Sequence, residues 1–362
     1  MASPDPFCAQ VLTASAPALA ALSVDRLLAS RPGLARRYDP GAAGKWRESL
    51  STRIAQLAAA VAVGSPELFV RQADWDRAAH AARGGEEMAA DLAAAIDALS
   101  TTIDEELPPS ASATALAYVK AAAARLTAPP PAEPRFIDPA TPEGRLAGEY
   151  LLAVLEGDRR KAADLILSRA QVTPGEPGKL SVSDVYTKVL APVQRELGRL
   201  WHLNESTVAE EHFATATTHM VVSMLYPYLP RKALNGKVSL AASVEGNAHD
   251  IGVRMVADHL EMEGFRSVYL GANVPIADLT LAVHDFRVDL LALSASIGTQ
   301  LPTLRDAIRA VRAAAPKVKI LVGGGAFQAD PEALADRTGA DAYAPDLLSA
   351  VSTAKRLVGL SG

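Results

Sequence analysis

Two short stretches hold the side chains best equipped for chemistry. In 244–252, VEGNAHDIG, His249 stands between an apolar run and a helix-like one, followed by Asp250, Ile251 and Gly252. A histidine on a loop at the carboxyl end of a strand is placed to reach a ligand, and neutral imidazole is an ordinary metal ligand. In 200–213, LWHLNESTVAEEHF, Trp201-His202 is followed by Val208 and then by Glu211-His212. An indole, an acid and two imidazoles so close in sequence could wall and bond one face of a bound group, although Glu-His pairs also occur on solvated helix faces and single tryptophans in cores. Other chemistry is poorly provided for. No nucleophile–base pair, cysteine cluster or phosphate-cradling loop is present, so the chain is not expected to be an enzyme in its own right.

Those stretches need elements to hold them. From Gly236 onward the apolar pattern is strand-like and helix-like by turns: strands at Val238 to Val244, Ser267 to Leu270, Leu290 to Ser294 and Ile320 to Val322, with helices from Asp250 to Glu263, from Ile276, from Pro302 to Ala314 and from Pro331. Such alternation predicts right-handed crossovers and a parallel sheet covered on both faces. Ligands of these sheets bind at the carboxyl ends of the strands, which singles out the loops after Val244, Leu270, Ser294 and Val322. Upstream, Glu143 to Glu156, Asp158 to Ala170, Ser183 to Leu200 and Ser206 to Leu229 read as a four-helix bundle. Ser181 to Asp184 and Ser206-Thr207 are suited to helix starts, and Gly157 and Gly175 to helix stops.

The first 128 residues are alanine- and leucine-rich with helical spacing, broken at Pro32, Asp39-Pro40, Gly64-Ser65-Pro66, Gly84-Gly85 and Pro108-Pro109. Residues 129–142 are too proline-rich to continue a helix and read as a semi-rigid spacer. The chain therefore divides into a helical sensor or interaction domain at 1–128, a linker at 129–142, a four-helix cap at 143–235 and a Rossmann-like α/β domain at 236–362. The fold class is α plus α/β. A net charge of -5 without a basic run argues against nucleic-acid binding, and a single cysteine, Cys8, excludes an internal disulfide and suits a cytoplasmic compartment. The N-terminus lacks the basic and apolar runs of a signal peptide, and no membrane association is expected.

His249-x-x-Gly252 after a first strand, Ser294-x-Ser296 in a later loop and Gly323-Gly324-Gly325 after a further strand resemble the cobalamin-binding domain of methionine synthase, the mutases and the cobalamin photoreceptors. The resemblance runs from Lys237 to the end. It implies that His249 takes the lower axial position on cobalt in place of the cofactor's own dimethylbenzimidazole, and that the freed nucleotide tail lies along the sheet against Gly252, Ser294, Ser296, Gly324 and Gly325. Where the family usually has an acid two residues before the histidine, this chain has Asn247. Its amide oxygen can accept from the ring nitrogen without adding charge, and Asp250 is the neighbouring acid that could compensate.

Trp201 separated by nine residues from Glu211-His212, ahead of such a domain, resembles the cap of the CarH and LitR class of light-sensing repressors. By that resemblance Trp201 and Val208 form the wall above the corrin, Glu211 and His212 contact the adenosyl group of adenosylcobalamin, and His202 moves onto cobalt after light. The class's DNA-binding module has no counterpart here, so a light-dependent homo-oligomer and an unidentified signalling partner are the expected outputs. The additional helical domain is similar to those of photocobilins, which carry biliverdin beside cobalamin. Phe69 to His80, with Arg71, Trp75 and His80, is the candidate bilin segment, and Cys8 a candidate attachment point. Two alternatives remain: a corrinoid methyl carrier serving separate methyltransferases, and a scaffold that reads cobalamin level without light.

Overall fold

The computed structural model describes residues 3–37, 41–128, 134–171 and 178–360. It forms two compact units that are interleaved along the chain. One comprises Met1–Pro131, Ser296–Arg305 and Gly325–Gly339; the other comprises Ala132–Ala295, Asp306–Gly324 and Ala340–Gly362.

The first unit is built on α1 (Pro6–Ser30), α2 (Gly33–Arg37), α3 (Ala42–Val63), α4 (Pro66–Glu106) and α5 (Pro109–Leu126). Their apolar residues recur at helical spacing, as in Leu92, Ile96, Leu99 and Ile103, all buried. By length and composition α1 could cross a membrane, but it buries Leu12, Leu19, Val24 and Leu27 within this unit. The expected break at Gly84-Gly85 appears as a kink, with Gly85 at φ 66°. Asp39-Pro40 lies outside the described residues. The carbonyls that α3 leaves unsatisfied at its end are met from far along the chain: Arg305 donates to the Ala62 carbonyl and Arg337 to the Gly64 carbonyl, each at 2.7 Å. Leu68 packs so closely over Gly298 that a Cβ there would lie 2.9 Å from its Cδ1.

The second unit begins with the helical cap: α6 (Pro142–Leu155), α7 (Arg159–Leu167), a long α8 spanning Val182–Asp184, Val185–Leu190 and Ala191–His202, and α9 (Val208–Leu225). Helix starts follow the expected chemistry. Ser181 Oγ accepts from the Asp184 N–H, and Thr207 and Glu210 form a reciprocal capping box at the head of α9. Gly175 lies outside the described residues. The middle of α8, Val185–Leu190, is π-helical, and the Ala191 N–H reaches back to the Tyr186 carbonyl. Pro192 supplies the physical cause: it has no N–H to give Lys188, and its ring would crowd that carbonyl in a regular helix.

The α/β part contains β1 (Val238–Val244), α10 (Ile251–Met262), β2 (Arg266–Val274), α11 (Ile276–Asp285), β3 (Leu290–Ser294), α12 (Leu301–Ala314), β4 (Lys319–Gly323), α13 (Pro331–Thr338), β5 (Ala342–Tyr343) and α14 (Leu347–Leu357). All neighbouring strands pair in parallel, in the order β2-β1-β3-β4-β5. After its first residue β1 is wholly buried, as a central parallel strand should be. The strand order reverses between β1 and β3, so the crevice for a ligand opens beside the ends of those two strands. Cap and α/β part share one core in which Tyr150, Tyr186, Val189, Leu190 and Val222 pack with Met255 and Met262 of α10.

Candidate functional site

The loop between β1 and α10 is held in shape by the end of β2. The Gly246 N–H donates to Asn273 Oδ1 at 2.7 Å, and the Asn273 N–H donates to the Asn247 carbonyl at 2.9 Å. Asn273 takes a left-handed φ of 52°, a conformation asparagine tolerates better than most residues. Asn247 is fully buried, and its carboxamide is oriented at both ends. Nδ2 donates to the Ser294 carbonyl at 3.1 Å, which turns Oδ1 toward His249, where it accepts the backbone N–H at 3.1 Å and lies 3.2 Å from Nδ1. An amide oxygen only accepts, so the ring proton belongs on Nδ1 and the lone pair on Nε2. His249 is exposed, with that lone pair available to a metal.

Asp250 does not reinforce the imidazole as expected. One carboxylate oxygen accepts from the Tyr269 hydroxyl of β2, and the other lies 3.0 Å from His219 Nε2 on α9. Ile251 is half-buried and packs on the cap core. Beside it, Gly252 faces open space: a Cβ there would meet nothing within 4 Å. Gly324 has a different reason to be glycine. It lies at φ 107°, and a Cβ would fall 2.2 Å from the Ala295 carbonyl oxygen and 3.1 Å from Ser294 Oγ. Ser294 thus accepts from Asn247 through its carbonyl, while its hydroxyl lies close beside the Gly324 turn. Ser296 and Gly325 belong to the other unit, where a Cβ on Gly325 would come 2.7 Å from the Ser296 carbonyl oxygen. The two glycines in this loop are demanded by the chain's own backbone, a need separate from any tail alongside them.

In the cap, Trp201 and Val208 are 40% and 55% exposed at the end of α8 and the head of α9, joined by a short turn in which Asn204 takes φ 58°. Glu211 Oε2 lies 2.6 Å from His212 Nδ1, while Glu211 Oε1 accepts from Thr215 Oγ1 at 2.8 Å. His212 is exposed. His202 is 1% exposed, so its side chain faces inward while neighbouring Trp201 faces outward. Reaching a metal on the Trp201 side would require the last turn of α8 to rearrange. His219, Tyr269 and Asn273 were not singled out by sequence; the available signal for His219 was its helical spacing from Val208, His212 and Thr215.

The expected bilin segment lies on α4 with its charges engaged. Asp74 pairs with Arg125, Arg71 with Gln328, Arg77 with the Leu126 and Ala128 carbonyls, and Asp76 with the buried Arg53. Burial, with Arg53 alongside, pulls the His80 imidazole below its ordinary value, and its ring lies 6.2 Å from that of Trp46. Phe69 is buried and Trp75 partly exposed. Cys8 is a poor attachment point. It is buried with Sγ on the Ala111 carbonyl, and burial pushes its thiol up to about 11, with Asp5 adding to the shift, so little thiolate forms at neutral pH.

Two family models, each described as a B12 binding domain, match residues 237–352 and 146–226. Among curated proteins, the chain is 30% identical over 199 residues to dimethylamine corrinoid protein 1 of Methanosarcina acetivorans, covering 54% of this chain and 91% of that one. It is 33% identical over 141 residues to dimethylamine corrinoid protein 3 of Methanosarcina mazei, covering 38% and 83%. Among solved structures, the monomethylamine corrinoid protein of Methanosarcina barkeri aligns with a TM-score of 0.47 at 21% identity, over 59% of this chain and 96% of that one. The names of these relatives refer to corrinoids and methylamines, not to light. Residues before 146 lie outside both family models.

Proposed function

This chain belongs to the B12-binding corrinoid proteins, and we propose that it is a light sensor holding adenosylcobalamin base-off, with His249 Nε2 as the lower axial ligand. Bound adenosylcobalamin supplies a cobalt–carbon bond that green light can break. The residues fit such a group: Asn247 fixes the His249 tautomer, and Gly252 leaves the start of α10 open beside it. The observation that carries the sensor reading is the exposure of Trp201, Val208 and His212 together with the half-buried Glu211 that bonds His212. The set combines apolar surface with an acid–imidazole pair, which suits an upper group bearing hydroxyls and a base. A methyl group offers that pair nothing to bond.

In this reading the chain's own work is to bind, wall and respond. His202, buried at the end of α8, would be the residue to hold the upper side of cobalt after light, once the last turn of α8 rearranges, and the output would be a change in self-association passed to a signalling partner, without catalysis or nucleic-acid contact. The expected compartment is the cytoplasm. Biliverdin in the N-terminal helices is the additional chromophore this reading admits; a red absorption band on adding biliverdin tests it, and its absence removes it.

The names of the relatives favour a second reading, a corrinoid methyl carrier. One experiment separates the two. The full chain loaded with adenosylcobalamin is followed by absorption and size-exclusion chromatography in darkness and green light, alongside His202→Ala and His249→Ala. A light-driven bis-imidazole spectrum that needs both histidines, with a changed elution volume, supports the sensor. Photolysis no faster than that of free cofactor, indifferent to His202 and without change of oligomer, overturns it in favour of the carrier or the light-independent scaffold.

A further inference from the structure

Val208, His212, Thr215 and His219 follow one another at spacings of four, three and four and so share one stripe of α9. The first two belong to the proposed upper-face set. At the far end of the stripe, His219 Nε2 lies 3.0 Å from Asp250 Oδ1, and Asp250 is the residue after His249. Aspartate is a favoured helix cap, and Asp250 stands at the cap position of α10, yet its side chain makes no capping bond. Its carboxylate is given instead to His219 and to Tyr269. Arg254, whose N–H bonds the Asp250 carbonyl at 2.8 Å, adds a neighbouring tie by donating to Ser223 Oγ, also at 2.8 Å.

The His249 loop is thus fastened to the sheet, by Asn247 on the Ser294 carbonyl, by Asn273 and by Ser243 Oγ donating to the His249 carbonyl at 2.7 Å, and to the cap by Asp250 on α9. We propose that His219 is a positioning residue for the lower axial imidazole: through Asp250 it fastens the His249 loop to α9, so that movement of α9 at Glu211–His212 is felt at His249. This inference rests on the reading of His249 as the cobalt ligand. It assigns one helix to both faces of the cofactor.

The test uses the full chain, labelled with ¹⁵N-histidine, loaded with cob(II)alamin and read by electron paramagnetic resonance. Ligation by a labelled histidine splits the cobalt lines into doublets, whereas the cofactor's own ¹⁴N base gives triplets. In the wild type we expect doublets. In His219→Ala we expect the ratio of histidine-ligated to unligated cobalt to fall about tenfold, the worth of one charge-assisted hydrogen bond, and His219→Gln, which keeps a donor, should recover most of it. Asp250→Ala should reproduce the loss and serves if His219→Ala does not fold. Ser223→Ala, which leaves the His219–Asp250 contact intact, should keep the wild-type spectrum. Unchanged doublets in both His219→Ala and Asp250→Ala overturn the proposal while leaving His249 as ligand. A wild-type spectrum without doublets overturns the His249 reading and this proposal with it.

Discussion

Asn247 makes three contacts with one carboxamide, and they respond differently to substitution. Asn247→Asp restores the acid usual in related domains but sets a carboxylate oxygen against the Ser294 carbonyl in a fully buried site. We expect it to destabilise the cofactor-free chain by roughly 1–3 kcal/mol, measured by urea unfolding. Asn247→Ala removes support for the ring and should weaken corrin binding by roughly 10–100-fold, measured by titration with hydroxocobalamin. At this scale the sequence was informative where partners are near in the chain, as His249 and Asn247 are. The role of Asp250 was hidden because its partners, His219 and Tyr269, come from a cap helix and a neighbouring strand. A local reading gave Asp250 to the adjacent imidazole because nothing nearby competed for it.

The seam between cap and α/β part turns on two elements, the π segment of α8 and α10. Tyr186 in the π segment donates to Asp258 of α10 at 2.8 Å, with both side chains buried and Arg254 and Glu261 also close enough to act on the acid. Burial pushes the Asp258 carboxyl up to about 6 from 3.8, moderated by the Tyr186 bond and Arg254. Because the folded value lies above the unfolded one, the stabilisation belongs to the protonated form: it is complete below about pH 4 and lost as pH rises through 6. Asp258→Asn, which keeps the acceptor, should flatten that slope and stabilise the chain above pH 7 by on the order of 2 kcal/mol. Urea melts at pH 5 and pH 8 test it; equal effects at both would refute the assignment. Helices were legible from spacing and caps to within a few residues. The π segment was not, since apolar periodicity passes through Pro192 unbroken, and two-residue β5 is too short to carry a pattern.

For the whole molecule, the alternation of strands and helices was enough to give the parallel α/β fold, because crossover handedness and burial leave few other arrangements. Sequence separated the N-terminal helices from the rest at the proline-rich stretch 129–142, and the cap from the α/β part at residue 235. It could not foresee that Ser296–Arg305 and Gly325–Gly339 group with the N-terminal helices, because that grouping depends on contacts such as Arg305 and Arg337 on the end of α3, each far from its partner in sequence. Replacing either arginine with alanine leaves α3 carbonyls unmet and should cost about 1 kcal/mol, read as earlier thermal unfolding.

The interleaving has a mechanical consequence. The chain passes from one unit to the other at residues 131, 295, 305, 324 and 339, so each unit is assembled from three separate stretches of chain. Cleavage at a protease site introduced within 129–133 should give two bands on a denaturing gel but one peak on a sizing column, because the severed N-terminal helices remain clasped by two stretches from the other fragment. Departure of the N-terminal piece on its own would show that those two stretches are too weak to act as a clasp. Assembly of this kind also means that neither unit can be inherited, deleted or transplanted as one uninterrupted stretch of gene without leaving part of itself behind.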